Sequence, residues 1–460
     1  MPQQQWTNLL LPMRLRDSAV VKHTMDSRNP FDSDYARIIS SAPFRRLQDK
    51  AQVFPLEKND FIRTRLTHSL EVSNFARGLG LSVENQLIAC GKLAPQLKGY
   101  IPSLLATVGL VHDIGNPPFG HFGEDVIQNY FTQFFAKHYN AENDTYFGEH
   151  WTAEELADFT KFDGNVQGLR ILRKLNLSKD EYSYNLTYPV LASMVKYPRN
   201  SVIGNKKTEK LSFKKFGYFQ SEKDDFEKIN QALQLNNNRH PLVFLLEAAD
   251  DIAYSIADIE DGCKKGIITE ELLLNILHKH LVGDVYESVI ADFDRIKKSI
   301  PNDFPNKIQI IIQEFRVVVQ TKMIEEAAKT FMLRLDAIST GEFDEDLLEA
   351  SEAKNIRKVF KELSYHNFNH PSVLKRELAG EQLLNYLLTA FTNAIITPQK
   401  KSSKMLLQLL SANYTYVRKQ YNSYPNQSYN DLQLITDFIS SMTDSYALSL
   451  YHELTGQTIK

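Results

Sequence analysis

The residues best equipped for chemistry are concentrated in one stretch, "GLVHDIGNPPFGHFGEDVI", Gly109 to Ile127. His112 and Asp113 stand side by side, a Gly/Pro turn follows, and His121 comes next with Glu124 three residues on. Imidazoles and carboxylates ligate metal ions and move protons near neutral pH. Placing them in an apolar segment is costly unless they are paired or bound to a metal. Adjacent residues on a helix point about 100° apart, so His112 and Asp113 reach one ion only at a helix end or in a cleft. Gly115, Pro117 and Pro118 predict such an end.

Two other segments add ligands. His68, in "RTRLTHSLEV", opens a long helical pattern after Arg63 and Arg65. The segment "EAADDIAYSIADIED" places Asp250, Tyr254 and Asp258 at i, i+4 and i+8, one stripe of one helix. Ala249, Ala253 and Ala257 beside them are expected to leave room for something bulky. An acid among Leu246, Ala249, Ile252 and Ala253 again needs a partner. His68, His112, Asp113 and Asp250 together offer two imidazoles and two carboxylates, a set suited to Mn²⁺, Fe, Zn²⁺ or Mg²⁺. Lacking thiolates, it is no structural zinc knuckle.

The elements that must hold these residues read as helices. Ser69–Leu93 carries Leu70, Phe75, Leu79, Val83 and Leu87 at helical spacing. "PSLLATVGLVHDIG" reads as a short buried helix, and "HPLVFLLEAADDIAYSIADIEDGCKKG" as a helix with proline near its start and lysines and Gly266 at its end. Three long amphipathic runs follow toward the C-terminus. Strand signals are confined to Gln52–Glu57 and Lys215–Gln220, so the expected fold is mostly α. Residues 140–162 and 197–217 read as polar or basic inserts, and Thr397–Lys404 as a basic linker. We expect a core over residues 1–270 and a helical region over 271–460 packed on it.

Bulk properties narrow the function classes. The chain has 460 residues, a net charge of −3, 43% hydrophobic and 24% charged residues. Those values suit a soluble globular protein and carry no global signal for nucleic acid or membrane. Two cysteines make no disulfide framework. The N-terminus lacks a basic region ahead of its apolar run, and no run reaches about 18 apolar residues, so a cytoplasmic location is expected. A GxxxxGK[ST] loop is absent from the sequence, which excludes a P-loop NTPase.

At the level of whole words the sequence resembles the HD-domain superfamily of metal phosphohydrolases. More narrowly, it resembles the deoxyguanosine triphosphate triphosphohydrolases (dGTPases). The resemblance rests on "NPFDSDYARIISSAPFRRLQDKAQVFPLEKNDFIRTRLTHSLEV", "LVHDIGNPPFGHFGE", "FDGNVQGLRIL", "ASMVKYPR", "KKFGYFQSEK" and "EAADDIAYSIADIED", roughly Arg28 to Gly266. Beyond that the chain is similar only in being helical, with "HPSVLKRELAG" as an echo.

The resemblance implies hydrolysis of a deoxynucleoside triphosphate at the α-phosphorus, giving deoxynucleoside and tripolyphosphate and so contributing to control of dNTP pools. It implies His68, His112, Asp113 and Asp250 as metal ligands, with Asp251 as the alternative to Asp250. His121 and Glu124 become the catalytic pair. Arg65, Lys196 and Lys215 would contact phosphates, with Arg199 and Lys214 as substitutes for the lysines. Tyr254 would pack under C2′ and exclude a ribose hydroxyl, Asp258 and Gln52 would bond the 3′-hydroxyl, and Asn165 would lie near the site. Mn²⁺ or Mg²⁺ is the expected metal, with Fe or Zn²⁺ as alternatives. A homo-oligomer, with a hexamer as one form, and a single-stranded DNA or nucleotide effector also follow. The rivals are another HD phosphohydrolase (a nucleotidase or phosphodiesterase) and a binding protein that senses dNTPs or single-stranded DNA.

Overall fold

A computed structural model describes residues 6–16, 26–176, 180–421 and 424–457; part of the N-terminal stretch scanned for a leader lies outside the described residues. The fold is mostly α, as expected, and its one sheet among the described residues is a two-stranded ribbon. The helices that build the site are α1 (Pro30–Ile39), α2 (Arg65–Ala89), α3 (Tyr100–Val111) and α4 (Gly120–His138). After them come β1 (Tyr139–Asn140), β2 (Thr145–Tyr146), α5 (Ala153–Thr160), α6 (Gly164–Arg170) and α7 (Leu242–Lys264). The C-terminal part contributes α8 (Lys307–Leu333), α9 (Lys354–Phe368), α10 (Pro371–Ile396), α11 (Gln427–Ser440) and α12 (Asp444–Thr455). No helix among the described residues is long and apolar enough to cross a membrane.

Helix α2 buries Val72, Ala76, Leu79, Val83 and Leu87, a face at three- and four-residue spacing. Leu70, expected in that stripe, is 42% exposed, because two residues from Val72 it lies about 200° round the helix. Helix α3 is buried on every side, as a core helix should be. It crosses α2 at close range: a Cβ on Gly109 would lie 2.6 Å from Ser73 Cα, so only glycine allows the approach. Helix α7 packs across α2 and on α8 and α9, while α10 joins α4 to α11. Arg170, at the end of α6, donates to Asp437 of α11 at 2.8 Å and to Glu222 at 2.6 Å, all three groups buried.

Several expectations fail here. Neither Gln52–Glu57 nor Lys215–Gln220 forms a strand. Pro55 has no N–H to donate and Leu56 sits at φ +53°, so the first segment turns instead of pairing. In the second, Phe216, Tyr218 and Phe219 are each buried against other elements with no partner strand. The 140–162 stretch is less of a loop than expected, holding the β1–β2 ribbon and α5. Its Thr152–Glu155 capping box is a helix-start signal that the polar composition hid. The last four residues of the expected linker, 401–404, open a helix, Lys401–Leu407.

Candidate active site

His112 caps the C-terminus of α3. The close crossing of α2 and α3 sets its ring 5.3 Å from that of His68, in the first turn of α2. Helix α7 brings in Asp250, whose Oδ1 lies 3.1 Å from His68 Nε2 and 3.6 Å from His112 Nε2. His68, His112 and Asp250 thus place their ligating atoms within 4.8 Å of one another. His112 donates its Nδ1–H to the Gly109 carbonyl at 2.8 Å, and its Nε2 is buried with no hydrogen-bond partner. A bare, buried imidazole nitrogen facing a carboxylate fits a divalent metal ion, which would satisfy both.

Asp113 stands at the edge of this cluster. Its Oδ2 lies 3.6 Å from His112 Nε2, but it also accepts from Arg65 at 2.5 Å, and Asn116 donates to its Oδ1 at 2.6 Å. Asp251 faces away from the cluster and pairs with Arg357 at 2.5 Å. Of the two neighbouring acids, only Asp250 points at the histidines.

Charges follow from these contacts. Burial would push Asp113 and Asp250 up, but Arg65 beside the first and His112, His68 and Lys196 beside the second hold both well below the carboxylate range. Burial lowers the pKa of His112 and outweighs Asp113 and Asp250, which favours the neutral ring that a metal ligand needs. In His68 burial is overcome by the hydrogen bond and attraction of Asp250, and its affinity for a proton rises.

His121 opens α4 beyond the turn. Its side chain is 74% exposed, and its Nδ1 lies 3.1 Å from Glu124 Oε2, a hydrogen bond that raises the imidazole's pKa. Glu124 is buried and held from behind by the Gly164 N–H at 2.7 Å. Nε2 of His121 is therefore the nitrogen left to meet a substrate.

A cleft of about 270 Å³ gathers Gln52, Arg65, His68, Asp113, His121, Asp250, Tyr254 and Asp258. Burial pushes Asp258 up to about 7 and Tyr254 well above its usual value. The three alanines of α7, expected to leave room for a ligand, are buried and do not line the cleft. Lys196, Lys215 and Asn165 do not line the cleft. Lys196 stands behind Asp250 at 3.8 Å, and Lys215 pairs with Asp163 while lying 4.0 Å from Glu124. Asn165 donates to the same Asp163 at 2.8 Å. Of the alternatives, Arg199 stacks over Phe213 at 4.2 Å and Lys214 lines a separate basic hollow with Lys161 and Lys206.

Sequence reading missed residues in and behind the cleft wall. Asn116, which holds Asp113, lies within the quoted stretch, and Lys50, which holds Asn116, lies two residues before Gln52, so proximity alone could have flagged both supports. Phe368 and Glu377 line the cleft itself, from the end of α9 and from α10, where no local signal marks them.

A family model described as HD domain matches residues 65–182, and one described as phosphohydrolase-associated domain matches residues 347–453. A deoxyguanosinetriphosphate triphosphohydrolase-like protein of Listeria monocytogenes is 38% identical over 472 residues, covering 98% of this chain and 99% of the relative. Its Listeria innocua counterpart shows the same identity and coverage. One from Synechocystis sp. is 35% identical over 465 residues, with 98% and 99% covered.

Proposed function

The chain belongs to the HD-domain family of deoxyguanosinetriphosphate triphosphohydrolase-like proteins, and from that premise we propose that it hydrolyses dGTP to deoxyguanosine and tripolyphosphate. The observation that carries this reading is one cleft in which His121, Tyr254 and Asp258 meet His68 and Asp250, with His112 completing their cluster at its floor.

In this reading His68, His112 and Asp250, with Asp113 at the edge, hold a divalent ion, Mn²⁺ or Mg²⁺. When bound, that ion supplies Lewis-acid polarisation of the α-phosphate and acidifies water. The chain's own residues do the rest. Arg65, buried at the cleft wall, faces phosphate oxygens, and Lys196 and Lys215 add positive potential from behind the acids. Water attacks the α-phosphorus and the bond to the 5′-oxygen breaks. Glu124 keeps His121 protonated, and His121 Nε2–H gives its proton to the departing oxygen. The proton shed by the attacking water restores the imidazolium.

Specificity comes from the other wall. Tyr254 packs under C2′ and leaves no space for a hydroxyl, and Gln52 and Asp258 bond the 3′-hydroxyl. Gln52 Oε1 is buried with no partner, which suits a donor from the sugar. Glu377 has no hydrogen-bond or ion-pair partner among the described residues, and burial raises its pKa. A carboxylate of this kind complements the N1–H and N2–H₂ donors of guanine.

The same reading places the enzyme in the cytoplasm as a homo-oligomer, in a hexamer as one form, acting on the dNTP pool. It also divides the chain into the 1–270 core and the 271–460 helical region. Exposed Lys206, Lys207, Lys210 and Lys214 support a single-stranded DNA or nucleotide effector.

The test is to incubate the protein with each dNTP and NTP plus Mn²⁺ or Mg²⁺ and separate the products by anion exchange. Deoxyguanosine and tripolyphosphate, formed fastest from dGTP, are expected. Inertness toward all triphosphates, or release of orthophosphate, would overturn the reading.

A further inference from the structure

Phe119 immediately precedes the helix that carries His121, and its backbone is at φ +64°. An aromatic residue rarely adopts this left-handed conformation and keeps it only where its surroundings impose it. Those surroundings come from the C-terminal part of the chain. Asp444, in the first turn of α12 and 2% exposed, accepts the Phe119 N–H on Oδ1 at 3.1 Å. Gly380 of α10 meets the ring: a Cβ there would lie 2.8 Å from it.

The same carboxylate reaches the opposite wall. Asp444 Oδ2 accepts the Ala51 N–H at 3.0 Å, one residue before Gln52. Between these two bonds lies buried Lys50, whose ammonium donates to the carbonyls of Asn116 at 2.5 Å and Ser440 at 2.9 Å and attracts Asp444. Asn116 in turn holds Asp113. One carboxylate therefore ties together two backbone segments 68 residues apart in sequence, one leading to His121 and one to Gln52.

We infer that Asp444 is a positioning residue for the reaction: it sets the Phe119–His121 turn and the Ala51–Gln52 wall at one fixed separation, and so makes catalysis depend on the C-terminal helices. The inference rests on the function proposed above. Asp444 does not touch the His68–His112–Asp250 cluster and reaches Asp113 only through Lys50 and Asn116, so its main effect is on the geometry of the two walls and its effect on metal binding is small.

An Asp444→Asn side chain has the same shape but only one acceptor oxygen, so it opposes an N–H donor with an NH₂ group. Three readouts test it in the full-length protein. Amide hydrogen exchange should quicken in the peptides holding Ala51 and Phe119. With dGTP and Mn²⁺, kcat should fall about 10- to 100-fold, as small displacements of catalytic groups do. Mn²⁺ affinity, by calorimetry, should stay within about twofold. Gly380→Ala, which pushes on the Phe119 ring from the other side, should lower kcat in the same way and serves if Asp444→Asn does not fold. A wild-type protein inert toward all dNTPs would remove the functional reading itself. An active wild type with full kcat in the folded variants, or a loss of Mn²⁺ affinity matching the loss of kcat, would overturn the positioning role.

Discussion

His112 donates its Nδ1–H to the Gly109 carbonyl of its own helix at 2.8 Å, and this one bond fixes which nitrogen faces Asp250. The ring is oriented before any ion arrives, as a preorganised ligand requires. His112→Ala and Asp250→Asn should each lower Mn²⁺ affinity by more than the roughly 10- to 100-fold typical of outer-shell changes. Asp251→Asn, which alters only the Arg357 pair, should keep Mn²⁺ binding and cost about 2 kcal/mol of stability. Calorimetric titration of the three variants distinguishes them. Loss of binding in Asp251→Asn with retention in Asp250→Asn would reverse the assignment.

The His121–Glu124 pair should separate chemistry from binding. His121→Ala is expected to lower kcat by about 10²- to 10⁴-fold while Mn²⁺ affinity holds, because the ring is a proton donor outside the ligand cluster. Glu124→Gln should lower kcat too and move the alkaline limb of the kcat–pH profile to lower pH, since Glu124 is the largest cause of the raised His121 pKa. An unshifted limb in Glu124→Gln would remove the acid role from His121.

Tyr254 lines the cleft four residues beyond Asp250 on the same helix. Replacing it with alanine should relax the discrimination between dGTP and GTP by about tenfold or more, mainly through faster GTP hydrolysis. Parallel kcat/KM measurements on the two nucleotides decide it. An unchanged ratio would move sugar selection to other residues.

Stability should carry a histidine signature far from the cleft. His240 is buried with its Nε2 at 3.0 Å from the Leu9 carbonyl and its Nδ1 accepting from Leu242 N–H at 3.2 Å. Burial lowers its pKa from 6.5 to about 4. Between those values the unfolded chain binds the extra proton, so this contribution is complete above pH 6.5 and is lost as pH falls toward 4, by up to about 3 kcal/mol. Urea unfolding at pH 7 and pH 5 should show a shallower loss in His240→Asn than in the wild type. Equal losses would place the acid sensitivity elsewhere.

The helices were legible because their apolar spacing is regular, and the site's histidines and acids because buried polar groups in apolar words are costly. The three ligands that cluster come from three helices, yet each stood in a word that announced it. What stayed hidden has a common cause. Asp444 and Glu377 look like ordinary helix-surface acids in sequence, and only packing of the C-terminal helices brings Glu377 to the cleft and Asp444 onto the backbone behind its walls. The first expected strand failed for a local reason, Pro55 and the left-handed Leu56, of which the proline was readable, while the second failed because no strand lies beside it to pair with. The overlooked helix α5 was marked by a capping box inside a polar run.

The most direct test of the proposed reaction is ³¹P NMR of dGTP hydrolysis in ¹⁸O-labelled water with Mn²⁺. Attack on the α-phosphorus predicts tripolyphosphate equimolar with deoxyguanosine, with one ¹⁸O on a terminal phosphorus and none in the nucleoside. Pyrophosphate or orthophosphate as the primary product, or label in the 5′-hydroxyl of deoxyguanosine, would contradict it.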